Sequence, residues 1–253
     1  MARYRLIAET EDDDGVLCSF DEMTGFFEST YEEDGRRRVD ILVRSYEPGD
    51  FLPRVLPRPD AETQDVTELE VLGRDESVLG RYLFFVSHAK FVPEGLFVSA
   101  FMGGHPPLPE EEEIWEVHRS GGPTSLNLWA SYGRWGRRAW TQVALRRHVR
   151  SDETDRPDGA TFELDGTFVT ESAGFFCAMG EAVNGPGGYY GIGLDSLSDC
   201  LCGGYGTAGR FTLAWNDFEV ARRAWTPGEP PDPSLDEVLD VLEREGGVTV
   251  ERR

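Results

Sequence analysis

Between Thr161 and Val250, short β-branched and aromatic runs alternate with longer amphipathic stretches, and this alternation restricts the fold more than any other feature of the chain. Thr161–Leu164 reads as a strand closed by the turn pair Asp165-Gly166, and Ser172–Val183 as a helix turning Phe175, Phe176, Met179 and Ala182 inward. A glycine-rich loop, Asn184–Gly193, leads into a helix from Leu194 to Leu201, and Phe211–Trp215 is a second strand. Ser234 and Glu237 form a capping box that starts a helix through Arg244; Gly246-Gly247 stops it, and Val248–Val250 is a third strand. Strands separated by helices indicate an α/β domain, a three-stranded parallel sheet packed with helices and joined by right-handed crossovers.

Upstream the pattern differs. Tyr4–Ala8, Val16–Ser19, Val39–Val43, Thr67–Leu72, Val78–Val86 and Leu96–Phe101 read as strands of a twisted sheet or small barrel. Pro109 followed by Glu110–Glu113 suits a helix start, because acidic residues in a first turn complement the helix dipole; this helix is expected to reach Arg119. A second helix is expected from Gly133 to Arg147, with Trp135, Trp140, Val143 and Ala144 inward and Arg137, Arg138, Arg146 and Arg147 in water. The Trp-rich stretch Trp129–Trp140 then forms the core between that helix and the sheet. The stretch Arg150–Gly159 is polar, charged and closed by Pro-Asp-Gly, as an exposed linker would be. The expected organisation is a strand-rich α+β domain over 1–149, a linker over 150–159 and the α/β domain over 160–253.

The chain of 253 residues has a formal charge of −22, which argues against nucleic acid as a direct partner, because a phosphate binder needs a basic footprint. A basic protein partner suits the charge better. Residues 151–253 hold 20 acidic against 7 basic side chains, so the negative field is densest there. Met1–Thr10 has no apolar run after its basic residues, and no stretch of about 18 apolar residues occurs, so neither a signal peptide nor a membrane span is expected and the location expected is cytoplasmic.

Cys18, Cys177, Cys200 and Cys202 are too few and too unevenly spaced for a disulfide framework or a zinc site, and read as free thiols, three of them near core positions. Gly204-Tyr205-Gly206-Thr207-Ala208-Gly209 has the spacing of a dinucleotide fingerprint but follows a helix and precedes a strand, the reverse of the required order. His88, His105, His118 and His148 lie near no recognisable nucleophile motif. No cofactor, metal or catalytic function is expected. The acidic runs Glu11–Asp14 and Glu110–Glu113 read as solvated turns or helix ends, with an extended docking surface as the alternative.

In the helix Leu194–Leu201, at about 100° per residue, Leu194, Leu197 and Leu201 fall within about 60° of one another, while Asp195 and Asp199 share the opposite face. Like charges four residues apart destabilise an isolated helix by roughly 0.2–0.5 kcal/mol, so helix stability does not ask for Asp199. Solvation of an exposed face is one reading of the pair. Presentation to a partner is the other, because Gly187-Gly188-Tyr189-Tyr190-Gly191 precedes the helix: glycines permit close backbone approach and tyrosines offer stiff amphipathic area.

The run Tyr189-Tyr190-Gly191-Ile192-Gly193-Leu194-Asp195-Ser196-Leu197-Ser198-Asp199-Cys200-Leu201 resembles the signature of the barstar family, inhibitors of small ribonucleases of the barnase type. The Asp165-Gly166 turn, the helix holding Phe175, the Phe211–Trp215 strand and the terminal helix, Gly-Gly and strand follow in the family's order. The resemblance implies a non-enzymatic bacterial immunity protein or antitoxin whose loop and helix enter the active site of a basic, guanyl-specific ribonuclease or nuclease toxin. It further implies Asp199 as mimic of the RNA phosphate, Asp195 as a second acidic contact and Tyr189 as the aromatic packing on the enzyme's histidine. Tyr190, Gly191, Ile192, Gly193 and Ser198 would complete the contact, with Glu243 as an acidic contact from the last helix. The alternative is a docking or regulatory module attached to an N-terminal domain that carries the main binding function.

Overall fold

The computed structural model describes residues 2–9, 14–28, 31–33, 36–52, 65–226 and 232–253. Glu11 to Asp13 of the first acidic run lie outside the described residues. The chain divides into two compact units, Met1–Gly121 and Gly122–Arg253.

The first unit is one antiparallel sheet of nine strands among the described residues: β1 (Tyr4–Glu9), β2 (Asp14–Phe20), β3 (Glu22–Thr24), β4 (Tyr31–Glu33), β5 (Arg36–Arg44), β6 (Glu47–Pro48), β7 (Asp65–Leu72), β8 (Val78–Val92) and β9 (Gly95–Met102). Their order is β3-β5-β9-β8-β7-β1-β2-β6, with β4 paired to β5. The six expected strands are the six longest. The others have two or three residues, too few to display a period of two. Tyr4, Leu6 and Ala8, then Val39, Ile41 and Val43, then Leu96, Val98 and Ala100 alternate into the core, as a half-buried sheet requires.

Helix α1 (Glu111–Arg119) follows the sheet. Its acidic start is not uniformly solvated: Glu111 is buried, accepts from the Tyr82 hydroxyl, and also accepts from the Leu108 N–H at 3.0 Å. The Tyr82 hydroxyl in turn accepts from Trp115 Nε1 at 2.7 Å, so that this glutamate closes a buried chain of hydrogen bonds.

The second unit contains a three-stranded parallel sheet, β10 (Thr161–Asp165), β11 (Thr212–Asn216) and β12 (Thr249–Arg252), in that order. Leu164 faces Trp215 across β10 and β11, and Leu213 faces Val250 across β11 and β12. The central strand buries Leu213, Ala214 and Trp215 completely. Around the sheet lie α2 (Arg134–Arg147), α3 (Ser172–Asn184), α4 (Leu194–Leu201), α5 (Phe218–Ala224) and α6 (Leu235–Asp240), the last continuing into a π-helical turn, Val241–Glu245. The parallel α/β arrangement and the strand-rich first unit agree with the fold expected from the sequence.

Two expectations need correction. Helix α2 belongs to the second unit, not to the first. Its buried face is Gly136, Ala139, Trp140, Val143 and Ala144, whereas Trp135 is 59% exposed. Five residues separate Trp135 from Trp140, roughly 140° around a helix, so the two indoles cannot share a face. Arg137 is not in water either: it pairs with Glu171 at 2.9 Å and lies 5.5 Å over the Trp129 ring.

The second correction concerns the division of the chain, which falls at Gly121–Gly122 instead of in the polar stretch Arg150–Gly159. Residues 122–158 are built into the second unit. Trp129 is fully buried there and donates to Glu181 at 3.0 Å, while the Asn127 side chain donates to Asp165 at 2.6 Å. The expected linker is pinned by its own carboxylates, Asp155 accepting from Gly204 and Gly206 and Asp158 from Arg210. Its polarity serves the backbone of a glycine-rich loop, so composition alone reads it as loose.

Candidate functional site

Helix α4 has the two faces that its sequence prescribes. Leu197 and Cys200 are buried, Leu194 and Leu201 are half-buried, and Asp195 and Asp199 are exposed. Burial pushes the Cys200 thiol up to about 12, so it behaves as a small apolar anchor. The exposed carboxylates make neither an ion pair nor a hydrogen bond among the described residues. Some other surface acids find arginines: Glu219 meets Arg222 and Arg223, Asp240 meets Arg244, and Glu251 meets Arg253.

Close packing sets the path of the preceding loop. A Cβ on Gly180 of α3 would come within 2.1 Å of the Gly188 carbonyl oxygen, so only a glycine lets the loop lie on that helix. Gly191 has φ +92°, and a Cβ there would press on the backbone of Leu197 at 3.1 Å. At the start of α4 the Ser196 hydroxyl accepts from the Ile192 and Gly193 N–H groups at 2.8 and 3.0 Å and donates to the Gly193 carbonyl at 3.0 Å. A serine at the third helical position satisfying the residues before the helix is the reciprocal half of a capping box, a signal that the sequence itself carries.

The two tyrosines do not form a surface. Tyr190 is fully buried, its hydroxyl 2.7 Å from the Thr207 hydroxyl and donating to the Cys200 carbonyl at 3.3 Å. Tyr189 is 5% exposed, and its carbonyl accepts from the Asn184 side chain at 2.7 Å. Burial raises both phenols above their ordinary pKa. The expected aromatic contact area is therefore spent inside the unit, where it shapes the loop. The amphipathic character of tyrosine suits either role, and only tertiary packing chooses between them.

Glu243 is displaced from the expected place. Its carboxylate is paired with Arg252 of β12 at 2.6 Å. The acid beside α4 is Glu245, which accepts from the Ser198 hydroxyl at 3.2 Å. Both acids lie in the π-helical turn, closed by a bond from the Gly246 N–H to the Val241 carbonyl at 2.9 Å. The exposed or half-buried groups on this edge are thus Ile192, Gly193, Asp195, Ser198, Asp199 and Glu245, with Gly191 beneath them.

A cavity of about 310 Å³ is lined by Asn127, Phe162, Asp165 and Glu181 among others, with no contribution from α4. Among the described residues no cluster of His, Cys, Asp and Glu has the arrangement of a metal site, and no helix is long and apolar enough to cross a membrane.

Residues 159–247 match the family model described as Barstar (barnase inhibitor). The match covers β10, β11, the loop, α4 and the π-helical turn, but not β12, the first unit or the 122–158 extension of the second. Searches of curated proteins and of solved structures find no match to the chain.

Proposed function

We propose that the second unit inhibits a basic ribonuclease of the barnase type, or a nuclease toxin of similar active-site chemistry, by lodging the edge formed by the 191–193 loop and α4 among the enzyme's cationic catalytic groups. The observation that carries this reading is the pair Asp195 and Asp199: two exposed carboxylates on one face of a short helix that make no ion pair or hydrogen bond among the described residues, whereas Glu219, Asp240 and Glu251 meet arginines. A carboxylate can stand in for a phosphate because both are compact anions that accept several charge-assisted hydrogen bonds. Asp199, in the second turn of α4, is the phosphate mimic, and Asp195 the flanking anion. Glu245 replaces Glu243 as the acid contributed by the last helical segment. Such a protein protects the cell that makes the nuclease.

The match of residues 159–247 to an inhibitor family supports the class of partner. The strongly negative charge supports rapid, salt-sensitive capture of a basic protein. The decisive experiment mixes the purified chain with barnase-type ribonucleases and follows RNA cleavage. Inhibition that is lost in Asp199→Ala and retained in Glu243→Ala supports the mechanism. Undiminished inhibition by Asp199→Ala rejects it.

Burial of Tyr189 and Tyr190 favours a second reading, a docking module of moderate affinity serving the first unit, because aromatic anchors are then missing from the contact. Capture of a non-nuclease basic protein through Asp199, with no ribonuclease inhibited, would select it.

A further inference from the structure

We propose that residues 148–156, upstream of the matched region, form a strap that fixes the recognition loop, with His148 as its positioning residue. The inference deepens the proposed role of the loop and α4 and rests on it.

His148 is the residue that ends α2. Its ring stacks on Tyr205 with centroids 5.0 Å apart and planes at 16°, and leans on Tyr189 at 5.5 Å and 44°. The two tyrosine rings are 5.9 Å from each other, so that the imidazole completes a three-ring cluster. The Arg150 guanidinium sits 5.5 Å from the Tyr205 centroid. Farther along, the Ser151 N–H donates to the Gly204 carbonyl at 3.1 Å, and Asp155 accepts from the Gly204 and Gly206 N–H groups at 2.7 and 2.8 Å. Arg156 then bridges to Thr207 in parallel, and Thr207 meets the buried Tyr190 hydroxyl. From the other side the Asn184 amide donates to both the Tyr189 and Tyr205 carbonyls, at 2.7 and 2.9 Å.

The strap therefore grips the 203–207 loop, and that loop grips both tyrosines that lead into α4. A glycine-rich loop left to itself loses much backbone entropy on binding. Ordering it in advance raises affinity without adding a contact. The buried tyrosines acquire a role on this view: they connect the strap to the helix that carries Asp195 and Asp199.

The device has a pH dependence in its geometry. His148 Nε2 is buried without a hydrogen-bond partner, the ring's bond to the Gly204 backbone not satisfying that nitrogen, so a proton on Nε2 finds no acceptor unless the ring leaves the cluster. The groups facing the ring are Asp155 of its own segment, Tyr189 of the recognition loop and Tyr205 with the Gly204 backbone of the 203–207 loop; the Arg150 guanidinium lies over Tyr205, and Cys200 of α4 interacts with Tyr189. Burial outweighs the hydrogen bond to Gly204 and the attraction of Asp155, and holds the imidazole below its ordinary pKa. The stabilisation from the neutral ring is complete above the ordinary value of about 6.5 and is lost as pH falls from there toward the lowered one.

Amide hydrogen exchange on the full chain tests this in the parent, His148→Ala and His148→Phe, reading residues 187–193 against strands β10 to β12 as an internal reference. The alanine variant is expected to exchange in 187–193 about tenfold faster, with the strands unchanged, and the phenylalanine variant, which keeps a ring in place, to match the parent at neutral pH. After correction for intrinsic rates, lowering pH from about 7.5 to about 5 should speed loop exchange in the parent and not in His148→Phe. Parent-like loop protection in His148→Ala, or an acid response in His148→Phe equal to the parent's, would overturn the strap. Should the alanine variant not fold, the acid response of parent against phenylalanine variant decides alone. Ribonuclease binding is followed separately: a parent that binds none sinks the proposed function, while the exchange data still support or refute the strap.

Discussion

The hydroxyl of Ser198 on α4 donates to the carboxylate of Glu245 across 3.2 Å, joining the acidic helix to the π-helical turn. The bond fixes Glu245, from the π-helical turn, next to the helix that carries Asp195 and Asp199. Glu243, two residues earlier, faces Arg252 instead.

Substitution of Asp199 by alanine should weaken binding to the target ribonuclease by about 2–3 kcal/mol, about 30- to 150-fold, the scale of hydrogen bonds to a charged group. The thermal midpoint should not fall, because the side chain is exposed and has no internal ion pair or hydrogen bond among the described residues. Asp195→Ala should act in the same direction and less strongly. Surface plasmon resonance at low and high salt measures both, and the parent's association rate should drop with ionic strength. A salt-independent rate contradicts electrostatic capture.

Glu245→Ala should slow association and weaken binding, whereas Glu243→Ala should leave both within error. Loss of the exposed pair between Glu243 and Arg252 should change stability by no more than about 0.5 kcal/mol. Comparing the two variants in one binding series checks that Glu245 and not Glu243 belongs to the contact, and equal effects would refute it.

Glu181 of α3 accepts from the Asn127 N–H at 2.9 Å and the Trp129 indole at 3.0 Å. Removing it as Glu181→Ala leaves two donors unsatisfied and should destabilise the second unit by about 1–3 kcal/mol, read from urea unfolding. Burial raises this carboxyl above its ordinary value of 4.5. Its favourable contribution is therefore present below 4.5 and declines as pH rises through the raised value, so the difference between parent and variant should narrow from acid toward neutral pH.

A fragment starting at residue 159, where the family match begins, should not hold a unique fold. It lacks Trp129 and Trp140, both buried, each worth about 1.5–3 kcal/mol against a typical domain stability of about 5–15 kcal/mol. It also leaves Glu171 without Arg137 and the Gly204 and Gly206 amides without Asp155. A fragment of residues 122–253 should show dispersed amide resonances and a cooperative transition. If the shorter fragment unfolds at the same urea concentration as the longer one, the extension is dispensable.

Much of the second unit was legible because its signals are local. The period of α4 and the capping box of Ser234 with Glu237 depend on residues within four positions of one another, and both are present as read. The unit's starting point was not legible, because a run such as RSDETDRPDG has the same composition whether its carboxylates face water or close a glycine-rich loop. Trp135 was misplaced inward because hydrophobicity was read without its angle, and the short helix α5 shows too little periodicity to declare itself.

The sequence by itself determined the order of the three parallel strands with α3, α4 and α6, and the opposition of Asp195 and Asp199 to Leu197 and Cys200, since a helix of 3.6 residues per turn admits no other faces. Only the tertiary structure decided that Tyr189 and Tyr190 turn inward, that Glu245 and not Glu243 stands beside α4, and that His148 closes over the loop. Each of these depends on contacts between residues far apart in the chain, where side-chain volume, buried hydrogen bonds and one π-helical turn settle what local propensity leaves open.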